Sequence, residues 1–306
     1  MRAGGFKSFW LAFLLTAAVM LPMAAGTMLW VQVRQQKADR VSQSQSGVRI
    51  ATPTTRHQYT VLLAVPGEAA SALVLARLDA PANQLRLAVI PAEGVVLLGQ
   101  QTVTLAQAYA GAGPARAAQL LQQTLGIEID AYLAITAEQL GKALGGADRL
   151  RAALSGALTE EELAAAGLTG DAADYTAKTA HALLEELQAM VAAGRLSASA
   201  LGQARAAVWD AAVRQNLEKL PAALPAGLRQ VSTNTLTNLT AQDYYTLAET
   251  LEFLANQKAA PTAELLPGQW NAASQRYEFD DSTLDYLQAF FSASAAAGAS
   301  SGRSAP

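Results

Sequence analysis

From Tyr59 onward the chain sets short apolar runs between longer helical ones. "YTVLLAV" (59–65), "ALVLARL" (72–78) and "LRLAVI" (85–90) are rich in Val and Leu, each the length of one buried strand. Ala80-Pro81-Ala82-Asn83 has the composition of a turn joining the second run to the third. The spacing then predicts helix over 105–125, interrupted at Gly111-Ala112-Gly113-Pro114, with Pro114 suited to the first turn of a new helix. "IEIDAYLAI" (127–135) reads as a strand, and Thr136 as the cap of a helix "AEQLGKAL". Residues 157–220 are rich in Ala, Leu and Glu with helical periodicity. A strand over "LRQVSTN" (228–234), a helix over 241–257 and a last helix from Ser282 complete the expectation. Alternating strands and helices predict an α/β sandwich.

One segment breaks this pattern. From Phe9 to Val31, "FWLAFLLTAAVMLPMAAGTMLWV" contains no charged residue. As a helix it measures about 34 Å, enough for a bilayer core of about 30 Å. Trp10 and Trp30 stand near its ends, where interfacial aromatics belong, and Pro22 is tolerable in a membrane helix. A signal peptide cleaved near Ala24-Ala25-Gly26 is the alternative, but the run continues past that site. Arg2 and Lys7 precede the run and Arg34, Lys37 and Arg40 follow it, so charge leaves its orientation open. The predicted organisation is a tail over 1–8, a transmembrane signal-anchor over 9–31, a polar linker over 32–57, one α/β domain over 58–291 and a disordered tail over 292–306.

Composition narrows the chemistry. The 306 residues carry a formal net charge of -3, so no basic field points to nucleic acid. There is no cysteine, which removes disulfides, thiolate metal sites and a cysteine nucleophile. The two histidines, His57 and His181, lack metal-ligand spacing, and no serine has an evident histidine and acid partner. The candidate that remains is Glu93, which follows Pro91 at the exit of the third apolar run. Loops at strand exits project groups from a rigid sheet. Other charged and glycine-rich features have plainer readings. Gly111–Pro114 lacks the lysine of a phosphate loop, and Glu160, Glu161 and Glu162 beside Thr159 suit a helix start. Arg77 and Asp79 read as an exposed pair worth little, and Asn238-Leu239-Thr240 is a sequon by pattern only.

The stretch "AYAGAGPARAAQLLQQTLGIEIDAYLAITAEQLGKALGGADRL" (108–150) resembles the core of the LytR-CpsA-Psr (LCP) cell-envelope family. The matching features are Ala-Tyr before a Gly-rich turn and Pro, then Leu-Gly-Ile, Ile-Asp-x-Tyr, and Leu-Gly-Gly after a short helix. "TVLLAV" and "RLAVIP" resemble the family's first and third strands, and "NLTAQDYYTLAETLEFL" with "LLPGQW" its closing segment. The likeness covers roughly residues 58–290. It implies a mixed central sheet sandwiched by helices, preceded by one N-terminal transmembrane helix, with the domain outside the cytoplasm. It also implies phosphotransferase chemistry, in which glycopolymer moves from polyprenyl pyrophosphate to peptidoglycan. There arginines clamp the pyrophosphate, carboxylates hold magnesium and an apolar tunnel takes the lipid.

Most of those groups are replaced in this chain. The register puts Ala69, Ser71 and Ala72 where the family has Arg-x-Asp-Thr, and Pro91, Ala92 and Glu93 where it has Pro-Arg-Asp. The family's lysine falls near Thr104, and its later Arg-x-x-Arg near Thr176 and Thr179. Glu93 alone keeps its charge type, as a remnant of the catalytic position, and Lys178 and His181 are candidate weak substitutes for binding lipid or pyrophosphate. The leading expectation is a membrane-anchored, non-catalytic LCP-like protein of the cell envelope that binds polyprenyl lipid, glycopolymer or a wall-assembly partner. It would need no cofactor and no nucleic acid. An active divergent phosphotransferase using Mg2+ and a purely structural anchored domain are the alternatives.

Overall fold

The computed structural model describes residues 52–67 and 72–292. The expected anchor over 9–31, most of the linker and the tail after Ser292 lie outside them. Among the described residues no helix is long and apolar enough to cross a membrane. Packing reaches back into the last linker residues. His57 is buried, its ring sits edge-on to Phe253, and its Nδ1 accepts the Thr54 N–H at 2.9 Å.

Strands β1 (Gln58–Val65), β2 (Ala72–Asp79) and β3 (Gln84–Ile90) make an antiparallel meander that pairs Leu62 with Leu75 and Ala76 with Leu87. A hairpin, β4 (Val95–Leu98) and β5 (Gln101–Thr104), leads to α1 (Leu105–Leu125). Ala112 and Gly113 leave helical geometry just before Pro114, so the expected interruption is real. β6 (Ala131–Ala134) runs parallel to β1, and Thr136 caps α2 (Ala137–Leu144) through the Gln139 N–H. β7 (Leu150–Ala152), α3 (Glu160–Ala165), β8 (Ala173–Tyr175), α4 (Ala177–Ala192), α5 (Ala198–Asn216) and α6 (Leu220–Val231) follow. The chain then forms β9 (Leu236–Thr237), α7 (Ala241–Asn256), β10 (Thr262–Leu265), the hairpin β11 (Gln269–Asn271) and β12 (Arg276–Glu278), and α8 (Asp281–Ser292).

The main sheet is mixed, in the order β10-β3-β2-β1-β6-β9, with parallel pairs at β1–β6 and β3–β10. Two sequence expectations fail. Residues 228–234 are not a strand: they are the end of α6 and a short 3-10 turn. Leu220, Leu228 and Val231 are buried there, and Gly227 lets α6 approach so closely that a Cβ would strike the Ala143 carbonyl. Packing therefore overrides the weak local preferences of "LRQVSTN". Arg77 and Asp79 do pair, at 3.4 Å, but Asp79 is only 6% exposed. It also accepts hydrogen bonds from Gln58 and the Ala82 N–H, which anchor the turn.

Strand alternation sends residues to two faces. On one, Leu62, Ala64, Leu73, Leu75, Ala88 and Ile90 pack against α1 and α8. On the other, Val74, Leu78, Leu85, Leu87 and Val89 meet α5 and α7, and Leu133 and Ile135 meet α2, α6 and α7.

Candidate functional site

β3 ends at Ile90, and the chain turns after it so that the Gly94 N–H donates to the Pro91 carbonyl at 3.0 Å. The Glu93 carbonyl accepts the Tyr277 N–H at 3.0 Å, which fixes the loop from the side of β12. The half-buried Glu93 carboxylate accepts a hydrogen bond from the Gln188 side-chain amide, Nε2 to Oε1, at 2.7 Å. The Oε1 of Gln188 in turn accepts from the Arg205 guanidinium at 2.9 Å. A buried amide thus bridges a carboxylate from β3 to a cation from α5.

Arg205 is 1% exposed, the largest fully buried side chain among the described residues. Burial lowers its pKa, while the charges of Glu93 and Glu185 oppose that shift. Glu185 lies one turn before Gln188 on α4 and packs on the exit of β1, since a Cβ on Gly67 would strike its carboxylate. Arg205 Nε and Glu93 Oε2 are buried without a hydrogen-bond partner. The network therefore ties the ends of β1 and β3 to α4 and α5.

Arginine reaches this strand exit after all, from a helix that the sequence reading did not single out. The signal was present but slight. Leu201, Arg205 and Val208 recur at i, i+4 and i+7, so Arg205 occupies the apolar stripe of α5. Gln188 shares the stripe of α4 with Leu184 and Val191 in the same way.

The other sequence candidates do not join it. Thr176 and Thr179 cap α4 by mutual hydrogen bonds, about 14–18 Å along the helix from Gln188. Ala92 is fully buried, Ala72 is buried and Thr104 caps α1, while Ala69 and Ser71 lie outside the described residues. Lys178 is exposed, and its charge reaches Glu138. His181 is half-buried one turn before Glu185. Its pKa is lowered by burial and by the Arg205 charge, against the opposing pull of Glu185. No three groups of the kind that bind metals come together among the described residues. The Arg205 charge beside Glu93 and Glu185 further disfavours a divalent cation, so these residues do not fit a magnesium site.

The second feature is an apolar cleft between the sheet and α2, α5, α6 and α7. Its larger part, about 150 Å³, is floored by Val61, Leu63 and Ala76 and walled by Leu140, Trp209 and Leu224. A smaller cavity of about 70 Å³ shares Leu140, Leu144 and Trp209 with it and extends to Val65, Ala72 and His181. Val61 and Leu63 belong to a central strand yet are only half-buried, because the covering helices stand off from them. His181 lies at the cleft end that adjoins Glu185 and the network.

Several solved structures share this architecture. A putative transcription regulator from Eubacterium siraeum superposes with a TM-score of 0.60 at 18% identity, over 80% of this chain and 95% of that one. TagT from B. subtilis gives 0.54 at 16% identity, over 81% and 95%. B. subtilis TagV gives 0.53 at 12% identity, over 78% and 97%. TagT and TagV are LytR-CpsA-Psr proteins. The chain has the LytR-CpsA-Psr fold. A further TagT structure, with a TM-score of 0.57, holds LIIa-WTA. No family model and no curated protein matches the sequence, so the LCP likeness is carried by the fold.

Proposed function

We propose that this is a cell-envelope protein, anchored through residues 9–31, that holds the isoprenoid chain of a polyprenyl lipid in its apolar cleft and does not transfer glycopolymer. The observation that carries this reading is the half-buried state of Val61 and Leu63 under a lining that is almost wholly apolar. Leaving core strand residues uncovered forfeits about 25 cal/mol per Å² of apolar surface, which a lipid chain would recover. A space of 150 Å³ takes a benzene-sized group, so α6 and α7 must part to admit more than the first isoprene units.

The strand exit supports the reading without transfer. Glu93 is engaged by Gln188, and the one arginine beside it is buried in the same network. Pyrophosphate needs several open cations, and Ala72, Ala92, Thr176 and Thr179 supply none. The second reading, a divergent transferase, draws on the presence of Arg205 next to Glu93. It requires Arg205 to leave its buried position and meet a phosphate. TagT bound to LIIa-WTA supports a glycopolymer partner for a protein of this fold.

The test is saturable binding of polyprenyl phosphate by the full-length chain, together with an assay for transfer from a polyprenyl-pyrophosphate glycan. Lipid binding without turnover is the expected result. Turnover abolished by Glu93→Gln would establish the divergent transferase instead.

A further inference from the structure

The residues just before β1 are folded onto one wall of the apolar cleft. The Thr54 N–H donates to Nδ1 of the buried His57 at 2.9 Å, and the His57 carbonyl accepts the Ala80 N–H at 3.1 Å. These bonds hold a short 3-10 turn, Thr55–His57, against the turn between β2 and β3. From there the imidazole reaches α7. Its ring meets Phe253 edge-on at 4.9 Å, and its Nε2 lies 3.4 Å from a Glu249 carboxylate oxygen. The same oxygen accepts from Arg56 Nη2 at 3.2 Å.

α7 turns a different side to the cleft, which Leu247 and Leu251 line. At 3.6 residues per turn, Glu249 and Phe253 lie about 120–160° round the helix from Leu247. The turn over 54–57 therefore grips α7 away from the cleft. The neighbouring wall is fixed in another way. At Gly227, α6 sits so close to the Ala143 carbonyl of α2 that a Cβ would not fit. With α6 locked to α2, α7 is the wall whose displacement opens the cleft, and residues 54–57 are what it must leave.

We propose that residues 54–57 are a strap that holds α7 closed over the cleft and yields when the cleft fills. This rests on the reading of the cleft as a site that opens for an apolar chain. The contacts suit a device that releases. The Arg56 and Glu249 side chains are 67% and 51% exposed, so their pairing is weak, and one edge-on ring contact adds modestly to it. A hold of that size shifts an open–closed balance several-fold without locking it. The strap is also continuous in sequence with the expected linker, so a chain arriving from an anchor joins the domain at this wall.

The experiment uses the full-length chain in a mild non-ionic detergent, first without lipid. It reads amide hydrogen exchange of α7 and acrylamide quenching of Trp209, which lines the cleft, with Trp209→Phe as the blank. The Arg56→Ala/Glu249→Ala double variant should raise both about threefold while exchange in α1 stays unchanged. His57→Asn should raise them further. It keeps an acceptor for the Thr54 N–H and loses the contacts to α7, so it separates a strap from mere support of the turn. The chain has no cysteine, so Arg56→Cys/Glu249→Cys can be bridged cleanly by a reducible bis-thiosulfonate reagent. Bridging should lower both readouts below wild type, and reduction should restore them. Unchanged α7 exchange and Trp209 quenching in His57→Asn would overturn the proposal. So would a rise shared equally by α1, or a bridged form as open as the reduced one. Polyprenyl phosphate added afterwards should enter the released variants faster than wild type. If no form binds it while the variants still open α7, the lipid reading fails and the strap stands.

Discussion

The two faces of the central sheet are made from the same strands and end in different states. On the α1–α8 face, Leu62, Ala64 and Leu75 are fully buried. On the other face, Val61, Leu63 and Ala76 alternate with them along the same backbones and are only half-covered. Strand composition does not distinguish the faces; the helices do. α1 and α8 bring Leu120, Leu121, Leu287 and Phe290 down onto the sheet. α2, α5 and α6 instead surround the rest of their face with Leu140, Trp209 and Leu224 and leave space between. A protein interior ordinarily packs as densely as an organic crystal, so the apolar gap over Val61, Leu63 and Ala76 is the space that the proposed lipid chain would fill.

Substitutions at the strand exit should have the largest effect. Arg205→Met removes the cation that donates to Gln188 and faces Glu93 and Glu185, and leaving these polar groups uncompensated costs about 3 kcal/mol or more. Double substitution with Glu93→Gln should recover part of that loss, and thermal or urea unfolding measures both. Additive losses from the two substitutions would contradict the coupling through Gln188.

The contrast between faces comes next. Leu75→Ala should cost about 2–5 kcal/mol, as expected of a solid core. Leu63→Ala, in the paired strand but over the cleft, should cost about 1 kcal/mol because its side chain is only half-buried. Equal losses in denaturant unfolding would mean that the cleft is packed in solution.

A smaller effect should follow pH. Burial holds the His181 pKa below its ordinary value of 6.5, so the unfolded chain binds the proton more readily. Its contribution to stability is complete above about pH 6.5 and is lost as pH falls through the folded pKa. His181→Asn should flatten the decline of Tm on the acid side, whereas an unchanged profile would mean that the imidazole is solvated in both states.

How much of this was legible in the sequence depends on the range of the interactions. β1 to β3, the interruption before Pro114, the Thr136 cap and α7 follow from local pattern, and all are present. The end of α6 was misread because "LRQVSTN" carries weak local preferences that contacts with α2 and α7 override. β10, β11 and β12 are only three or four residues long and draw their pairing from distant strands. Glu93 was visible as a carboxylate at a strand exit. Its partners were not, because Gln188 and Arg205 lie 95 and 112 residues further on and look like ordinary helix residues until the helices are packed.

Trp209 lies where an apolar chain held on the open face can be read directly, since it lines both parts of the cleft. Polyprenyl phosphate is added in mixed micelles to the full-length chain while tryptophan emission is recorded, with Trp209→Phe as the blank for the other three tryptophans. The expected result is a saturable change in the Trp209 contribution that Ala76→Phe abolishes and the closed-face variant Ala64→Val leaves in place. An emission spectrum indifferent to the lipid, or one that Ala76→Phe does not alter, would contradict it.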